Sequence, residues 1–236
     1  SPIIPSGLRF FRPAIVPSET SDGASMSQTS PSCSSPLSES VSSLPSFAPE
    51  KAAQLLRDLF AARDGAAMAC ALEALASFRA EGDLSSLPSR DEDSIREAEY
   101  AFNRLFVGPG PVPAPPYASV YLDAEPLLMG QAAVSMRELI QSLGLAVREE
   151  DNLPEDHLAC ELEVWLVLRS LAPAEDVGLR QSAEEALHWL LDGHMSAWIP
   201  EFLSRARAES MPELLSDALD CLEAWLLSTQ QAPNRE

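Results

Sequence analysis

The sequence has little positive charge and almost no lysine. Lys51 is the only lysine among 16 basic residues, whereas 36 residues are acidic, so the formal net charge over 236 residues is −20. Binding to nucleic-acid phosphates needs clustered lysines and arginines, which excludes nucleic acid as a partner. An anionic membrane surface would also repel the chain, whereas a basic ligand would be attracted to it.

The sequence also lacks a long, uninterrupted apolar run. Near the start, Arg9, Arg12 and Pro13 divide the apolar residues into pieces shorter than the roughly 7–15 residues of a secretory signal. The charge-free stretch from Leu105 to Leu122 contains five prolines, which exclude a membrane-spanning helix. We therefore expect no stable membrane insertion.

Cysteine is scarce and scattered. The four cysteines form no CxxC pair, and Cys70, Cys160 and Cys221 lie among alanines and leucines in helical patterns. This arrangement is typical of reduced, buried thiols in a cytoplasmic protein rather than of a disulfide framework. The predicted location is the cytoplasm.

Familiar catalytic motifs are missing. The chain has no GxSxG, HExxH or GxxxxGK[ST] sequence. Gly108-Pro109-Gly110 is no phosphate loop, because proline lacks the N–H that a phosphate needs. The spacing of His157, Cys160 and Glu161 permits a metal site on one helix face, but no second ligand pair stands out. We expect no enzyme activity, no cofactor and no metal. A helical hydrolase, a GTP-binding protein and a generic interaction module remain the alternatives.

Composition divides the chain into two parts. Of residues 1–45, 21 are serine or proline, with no helical or strand period, which predicts a disordered or peripheral tail. Residues 46–236 are predicted to form the folded domain. Met26 lies within the tail and is a second candidate for the natural start of the chain.

Apolar residues recur at helical spacing through residues 46–236, and no run alternates at period two for long. This pattern predicts an all-α fold with about seven to nine helices. Representative positions are Leu55, Leu59, Leu72, Met136, Ile140, Leu162, Trp165, Leu187, Leu219 and Leu222. In a second arrangement, the proline-rich segment Gly108–Pro116 is a hinge between two helical subdomains. Because such hinges permit domain swapping, the expected state is a monomer or a homodimer.

Two segments differ from ordinary helical sequence. In the first, a helix ends at Phe102 and Phe106 and runs into a proline-stiffened loop that carries Tyr117 and Tyr121. Proline gives such a loop a defined shape at low entropic cost, and tyrosine offers an apolar face with a polar tip. We interpret the loop as one wall of a binding site. A rigid connector between helices is the alternative.

The second segment surrounds the start of a predicted helix. Pro154 fits the first turn, and the acidic residues beside it complement the positive helix end. The whole carboxylate cluster comprises Glu155, Asp156, Glu161 and Glu163. The functional interpretation is that these carboxylates face a groove and attract a cationic ligand. Simple capping of the helix remains the alternative.

At these residues the sequence resembles the TorD/DmsD/NarJ family of redox-enzyme maturation chaperones, nearest to its DmsD-like branch. The resemblance covers roughly residues 50–228. Its motifs are aromatic-xx-Leu-Phe-x-Gly-Pro at 102–109, Pro-Pro-Tyr-x-Ser-Val-Tyr-Leu-Asp at 115–123, Leu-Met-Gly at 128–130 and Pro-x-Asp-His-Leu at 154–158. Relatives often carry tryptophan in place of Phe102 and an aromatic residue in place of Gly110.

The resemblance implies an all-α fold without catalytic activity. Its members bind the twin-arginine signal peptide, and sometimes the body, of a molybdopterin oxidoreductase. They hold this enzyme in the cytoplasm until cofactor insertion is complete, before Tat export. Components of the Tat translocase are further expected partners. By resemblance, and with Glu161 added from the carboxylate cluster, the expected signal-peptide site comprises Phe102, Leu105, Phe106, Tyr117, Tyr121, Pro154, Asp156, His157 and Glu161. Asp156 and His157 are expected to face the groove.

Overall fold

The apolar spacing of the sequence produces helices through most of the chain. The computed structural model describes residues 8–14, 48–80, 91–124, 130–148 and 153–230. The α-helices in this part are α1 (Pro49–Phe60), α2 (Gly65–Ala80), α3 (Glu92–Phe102), α4 (Ser119–Leu122), α5 (Gln131–Ser142), α6 (Leu158–Leu171), α7 (Val177–His188), α8 (Ser196–Arg207) and α9 (Glu213–Gln230). Asn103–Val107 and Trp189–Met195 are π-helical, and the strands are β1 (Phe11–Pro13) and β2 (Leu145–Val147). The predicted all-α class is confirmed. Leu128 and Met129 of the family motif lie outside the described residues.

Helix α1 shows how local sequence and core packing agree. Pro49 opens the helix, where its missing N–H has no cost, and Glu50 complements the positive end of the helix dipole. The apolar residues all lie on one side and are buried against α2, α6 and α9. This side consists of Ala52, Ala53, Leu55, Leu56, Leu59 and Phe60.

Helix α6 lies at the centre of the fold and is buried on nearly every side. Its Trp165 packs edge to face against Trp225 of α9, with ring centroids 5.2 Å apart. Helix α1 contacts both α6 and α9, so elements before and after the segment Gly108–Pro116 share one hydrophobic core. The alternative of two subdomains joined by a hinge is therefore wrong for the described residues.

Part of the predicted tail belongs to the core. β1 pairs antiparallel with β2, Phe11 opposite Val147 and Pro13 opposite Leu145. Phe10 and Phe11 are 2% and 1% exposed. The prediction that residues 1–45 are disordered or peripheral is thus wrong for residues 8–14, because two phenylalanines find an apolar site far along the chain. The remaining residues up to 47 lie outside the described part.

The charge-free stretch from Leu105 to Leu122 is not one helix. It is divided among the π-helical segment, a loop and the short helix α4. Among the described residues, no helix combines the length and the apolar character needed to cross a membrane.

The described cysteines are free thiols with different surroundings. Cys160 and Cys221 are buried as predicted, and burial raises the pKa of both, that of Cys221 to about 11. Cys70 is exposed, so the prediction of burial is wrong there: α2 turns this position toward solvent. Cys33 lies outside the described residues.

Candidate functional site

A cavity of about 660 Å³ opens between the ends of α1 and α3 and the proline-rich loop. It is lined by Phe60, Ala61, Ala62, Arg63, Asp64, Met68, Glu99, Phe102, Asn103, Phe106, Val107, Val112, Pro115, Pro116, Tyr117, Val120, Leu153 and His157. Phe102, Phe106, Tyr117 and His157 are the members of the predicted site that line it. The two distinctive segments of the sequence therefore meet at one cavity.

Three phenylalanines form the apolar wall of this cavity. The rings of Phe102 and Phe106 lie edge to face, with centroids 5.0 Å apart. The ring centroid of Phe60, at the end of α1, lies 5.8 Å from that of Phe102 and 5.6 Å from that of Phe106. Tilted and edge-to-face pairs of this kind are the favoured aromatic geometries. The wall is rigid, because the same rings are also part of the hydrophobic core.

The π-helical turn after α3 sets the direction of the loop. It closes when the N–H of Gly108 donates to the carbonyl of Asn103, at 2.8 Å. Gly108 and Gly110 have φ values of 106° and 112°, which side-chain-bearing residues rarely adopt. The peptide bond between Gly108 and Pro109 is cis. The loop leaves the π-helical turn at Gly108, and its residues Val112, Pro115 and Pro116 line the cavity.

The loop is bonded to the segment that precedes α6. The N–H of Leu158 donates to the carbonyl of Pro116 at 3.0 Å, and Tyr117 forms an isolated antiparallel bridge with His157. The Tyr117 and His157 rings meet edge to face, with centroids 4.9 Å apart. Burial raises the pKa of Tyr117, so its hydroxyl stays protonated at neutral pH.

His157 is the N-cap of α6. Its Nδ1 accepts the N–H of Ala159 at 3.1 Å, so the neutral ring carries its proton on Nε2. The side chain is nearly buried, and this desolvation lowers the pKa of His157 to about 3. At neutral pH the cavity therefore contains an uncharged imidazole that offers an N–H donor. The sequence placed Pro154 in the first helical turn, but α6 begins later, at Leu158.

The prediction that Asp156 faces the groove is wrong. Asp156 is 0% exposed and does not line the cavity. Its Oδ2 accepts the N–H of Ser119 at 2.9 Å, and its carbonyl accepts the N–H of Ala118 at 3.0 Å. The carboxylate therefore satisfies the amino end of α4 and fixes the loop to the segment before α6.

Replacing Asp156 with alanine is expected to reduce the free energy of unfolding by about 1–3 kcal/mol, because it leaves a buried N–H of Ser119 without an acceptor. Asp156→Asn is the matched control, since its amide oxygen can still accept that hydrogen bond. Urea denaturation followed by circular dichroism measures both. Equal stability of wild type and Asp156→Ala would contradict this structural role.

Glu161 is also turned away from the cavity, contrary to the prediction. Its buried carboxylate accepts hydrogen bonds from His194 Nε2 at 2.7 Å and from Trp198 Nε1 at 3.1 Å. Burial raises the pKa of Glu161, although the hydrogen bonds of these two partners oppose the shift. His194 lies in the second π-helical segment. Glu161 thus ties α6 to that segment and to α8.

The other predicted residues lie beside the cavity rather than on its surface. Leu105 is 0% exposed in the core. Tyr121 donates its hydroxyl hydrogen to the carbonyl of Pro115 at 2.9 Å and stacks on Trp198 at 5.5 Å. Pro154 is half-buried just before α6. These residues hold the loop and the helix that form the cavity.

The acidic residues that do line the cavity, Asp64 and Glu99, were not among the residues predicted from the sequence. Asp64 precedes α2 and accepts the N–H of Ala67 at 2.8 Å, and Glu99 projects from α3. A Cβ atom at position 65 would lie 2.6 Å from both carboxylate oxygens of Glu99. Gly65 therefore leaves the space in which this carboxylate rests. An Asp-Gly pair before an apolar helix signals a cap, but nothing local places Glu99 beside it.

Comparison with known proteins assigns the chain to a family. The family model described as nitrate reductase delta subunit matches residues 61–204. The chain belongs to this family. The match includes every residue of the cavity except Phe60, and it confirms the resemblance to the TorD/DmsD/NarJ group.

Individual relatives carry two of the three names of that group. The chain is 33% identical over 117 residues to the Tat proofreading chaperone DmsD of Salmonella typhi, covering 49% of this chain and 50% of the relative. It is 33% identical over 125 residues to the chaperone protein TorD of Psychrobacter sp., covering 53% and 55%. TorD of Vibrio cholerae is 37% identical over 123 residues, covering 52% and 55%. The chain thus matches about half the length of these curated relatives.

Proposed function

We propose that this chain is a chaperone that binds the twin-arginine signal peptide of a molybdopterin oxidoreductase in the cytoplasm. It holds that enzyme until the cofactor is inserted and Tat export begins. The observation that carries the proposal is the cavity in which the two family segments meet beside carboxylates. The relatives named Tat proofreading chaperone DmsD and chaperone protein TorD support the same role.

The apolar wall suits the apolar part of a signal peptide. Ligand pockets in proteins typically measure about 300–1,000 Å³, and this cavity of about 660 Å³ is of that size. Phe60, Phe102 and Phe106 supply a preformed aromatic surface, so little ordering entropy is lost when an apolar side chain enters. His157 offers its Nε2–H to a peptide carbonyl without adding a positive charge.

The two carboxylates that line the cavity suit an arginine. Its lining contains the carboxylates of Asp64 and Glu99 and the guanidinium of Arg63. The chain as a whole carries a net charge of −20, which attracts cationic peptides from a distance. Glu99 is half-buried, where a carboxylate pairs more strongly with a guanidinium than it does in open water. Glu99 and Asp64, rather than Asp156, supply the negative charge in this proposal.

A holding role requires no catalytic group. Among the described residues, no cluster of three or more histidine, cysteine or acidic side chains is arranged to hold a metal ion. The relatives are named as chaperones. We accordingly propose a protein without its own enzyme activity.

Replacing Glu99 with glutamine is expected to weaken binding of a twin-arginine peptide by about 1–3 kcal/mol, roughly 5- to 150-fold, because a charge-assisted contact is lost. Changing the peptide's two arginines to lysines should also weaken binding, since lysine cannot form the bidentate fork. Calorimetric titration measures both effects, and added salt should reduce the affinity of the wild type.

The matched control for Glu99 lies on the same helix. Glu97 is exposed and does not line the cavity, so Glu97→Gln removes the same charge without touching the site. It is expected to leave the affinity nearly unchanged. If both variants weakened peptide binding equally, the effect of Glu99 would come from the net charge of the protein and not from a contact in the cavity. No measurable binding of the twin-arginine peptide to the wild type would refute the proposed function.

A further inference from the structure

Residues 8–14 are held in a slot formed by parts of the chain that are remote in sequence. On one side, β2 and its flanks supply backbone partners: Arg148 N donates to the carbonyl of Phe10 at 2.7 Å, and Ala14 N donates to that of Gly144 at 2.8 Å. The Arg148 side chain adds a hydrogen bond from Nε to the carbonyl of Phe11 at 3.2 Å. The segment is therefore recognised largely through its main chain.

On the other side of the slot, Glu163 of α6 recognises two consecutive backbone N–H groups. Its Oε1 accepts the N–H of Arg9, and its Oε2 accepts the N–H of Phe10 at 2.8 Å. Glu163 is 1% exposed, and it also forms an ion pair with Arg57, whose Nη1 lies 3.6 Å from its Oε1. A buried carboxylate of this kind is satisfied when an extended peptide occupies the slot.

The side chains of the segment give the slot a chemical preference. Phe10 and Phe11 are buried in the core cluster. Arg9 pairs with Asp58 of α1 at 2.9 Å. An extended peptide with two aromatic residues between basic residues meets all of these requirements at once.

The residues that hold the segment are far from it in the sequence. Residues 15–48, which are 34 residues, separate it from α1 along the chain. The contacts to Glu163 join residues more than 150 positions apart. The segment is thus joined to the domain that holds it through a covalent connection, which we call the tether.

We propose that this slot is a peptide-binding site, separate from the aromatic cavity, and that residues 8–14 occupy it as an exchangeable ligand. The same segment supplied from another molecule takes the slot when the tether is cut. The ligand class is an extended peptide in which arginines flank two adjacent phenylalanines. This proposal does not rest on the signal-peptide function.

The test uses the full chain with a protease recognition sequence inserted between residues 15 and 47. After cleavage, the amino-terminal piece is expected to co-elute with the domain in size-exclusion chromatography. A fluorescent peptide of residues 8–14 should then displace it and bind saturably, as measured by anisotropy. The uncut chain should bind this peptide at least about 10-fold more weakly, because the tether keeps the resident segment at a high effective concentration.

Three variants examine the recognition itself. A peptide with Phe10→Ser and Phe11→Ser should bind at least about 10-fold more weakly. Asp58→Asn alters an ion pair at the slot's exposed edge, so the domain stays folded; binding should weaken by a few-fold, and its salt dependence should fall. Glu163→Gln should weaken binding about 10-fold or more, with thermal unfolding of the cleaved domain measured in parallel.

Failure to exchange, unfolding of the domain on cleavage, or equal binding of the serine peptide would each overturn the proposal. In those cases residues 8–14 are an integral strand of the core. Binding of a twin-arginine peptide to the aromatic cavity is measured separately on the same cleaved sample. The failure of one proposal is thereby distinguished from the failure of the other.

Discussion

Replacing Glu161 with alanine is expected to reduce the free energy of unfolding by about 3–5 kcal/mol, the range seen when one partner of a buried pair is removed. The substitution leaves His194 Nε2 and Trp198 Nε1 without the acceptor they share. Neither group can turn to water, because both side chains are buried. A loss of this size is a large part of the stability of a typical domain.

Glutamine at position 161 provides the matched comparison. Its amide keeps the volume and one oxygen acceptor but cannot serve both donors with a carboxylate, so we expect a smaller loss, about 1–3 kcal/mol. Urea denaturation of the wild type, Glu161→Ala and Glu161→Gln, followed by tryptophan fluorescence and circular dichroism, gives the order. If the alanine variant were as stable as the wild type but bound the twin-arginine peptide poorly, Glu161 would instead contribute to peptide binding.

The aromatic wall could be predicted from the sequence because its signal is local. Phe102 and Phe106 are four positions apart in a helical pattern, and the glycines and prolines that follow indicate a loop of defined conformation. The structure brings these rings together with Tyr117 and His157. Local spacing and the family motifs therefore pointed to residues that line one cavity, and their role in binding a signal peptide stays a prediction.

The orientation of the acidic residues could not be predicted in the same way. A carboxylate near a helix start serves equally well to attract a ligand or to hold a neighbouring N–H, and the choice depends on tertiary contacts. Asp156 finds Ser119, and Glu161 finds His194 and Trp198, each more than 30 positions away. Spacing along one helix contains no information about such partners.

The amino-terminal strand was missed because composition averages over too many residues. Serine and proline dominate residues 1–45 as a whole, yet Phe10 and Phe11 sit in a short stretch that lacks both. A three-residue strand is too short to show alternation, and its partner β2 lies more than 130 positions later. Burial of two phenylalanines stabilises this pairing by a few kcal/mol, an effect that no local propensity records.

Acidification is expected to destabilise the protein through His157. Burial lowers the pKa of this imidazole from 6.5 to about 3 in the folded state, whereas the unfolded chain takes up a proton near the ordinary value. The folded state therefore binds fewer protons between pH 6.5 and 3, and stability falls as the pH decreases through that window. At pH 4 the loss from this one residue amounts to about 3 kcal/mol.

His157→Asn isolates this contribution. Asparagine is a good N-cap and can accept the N–H of Ala159, as His157 Nδ1 does, but it does not titrate. Urea denaturation at several values between pH 7 and pH 4 should show that the variant loses about 3 kcal/mol less stability than the wild type. Carboxylates contribute equally to both proteins and cancel in the difference. Parallel curves for the wild type and His157→Asn would mean that the buried imidazole accepts a proton in the folded protein.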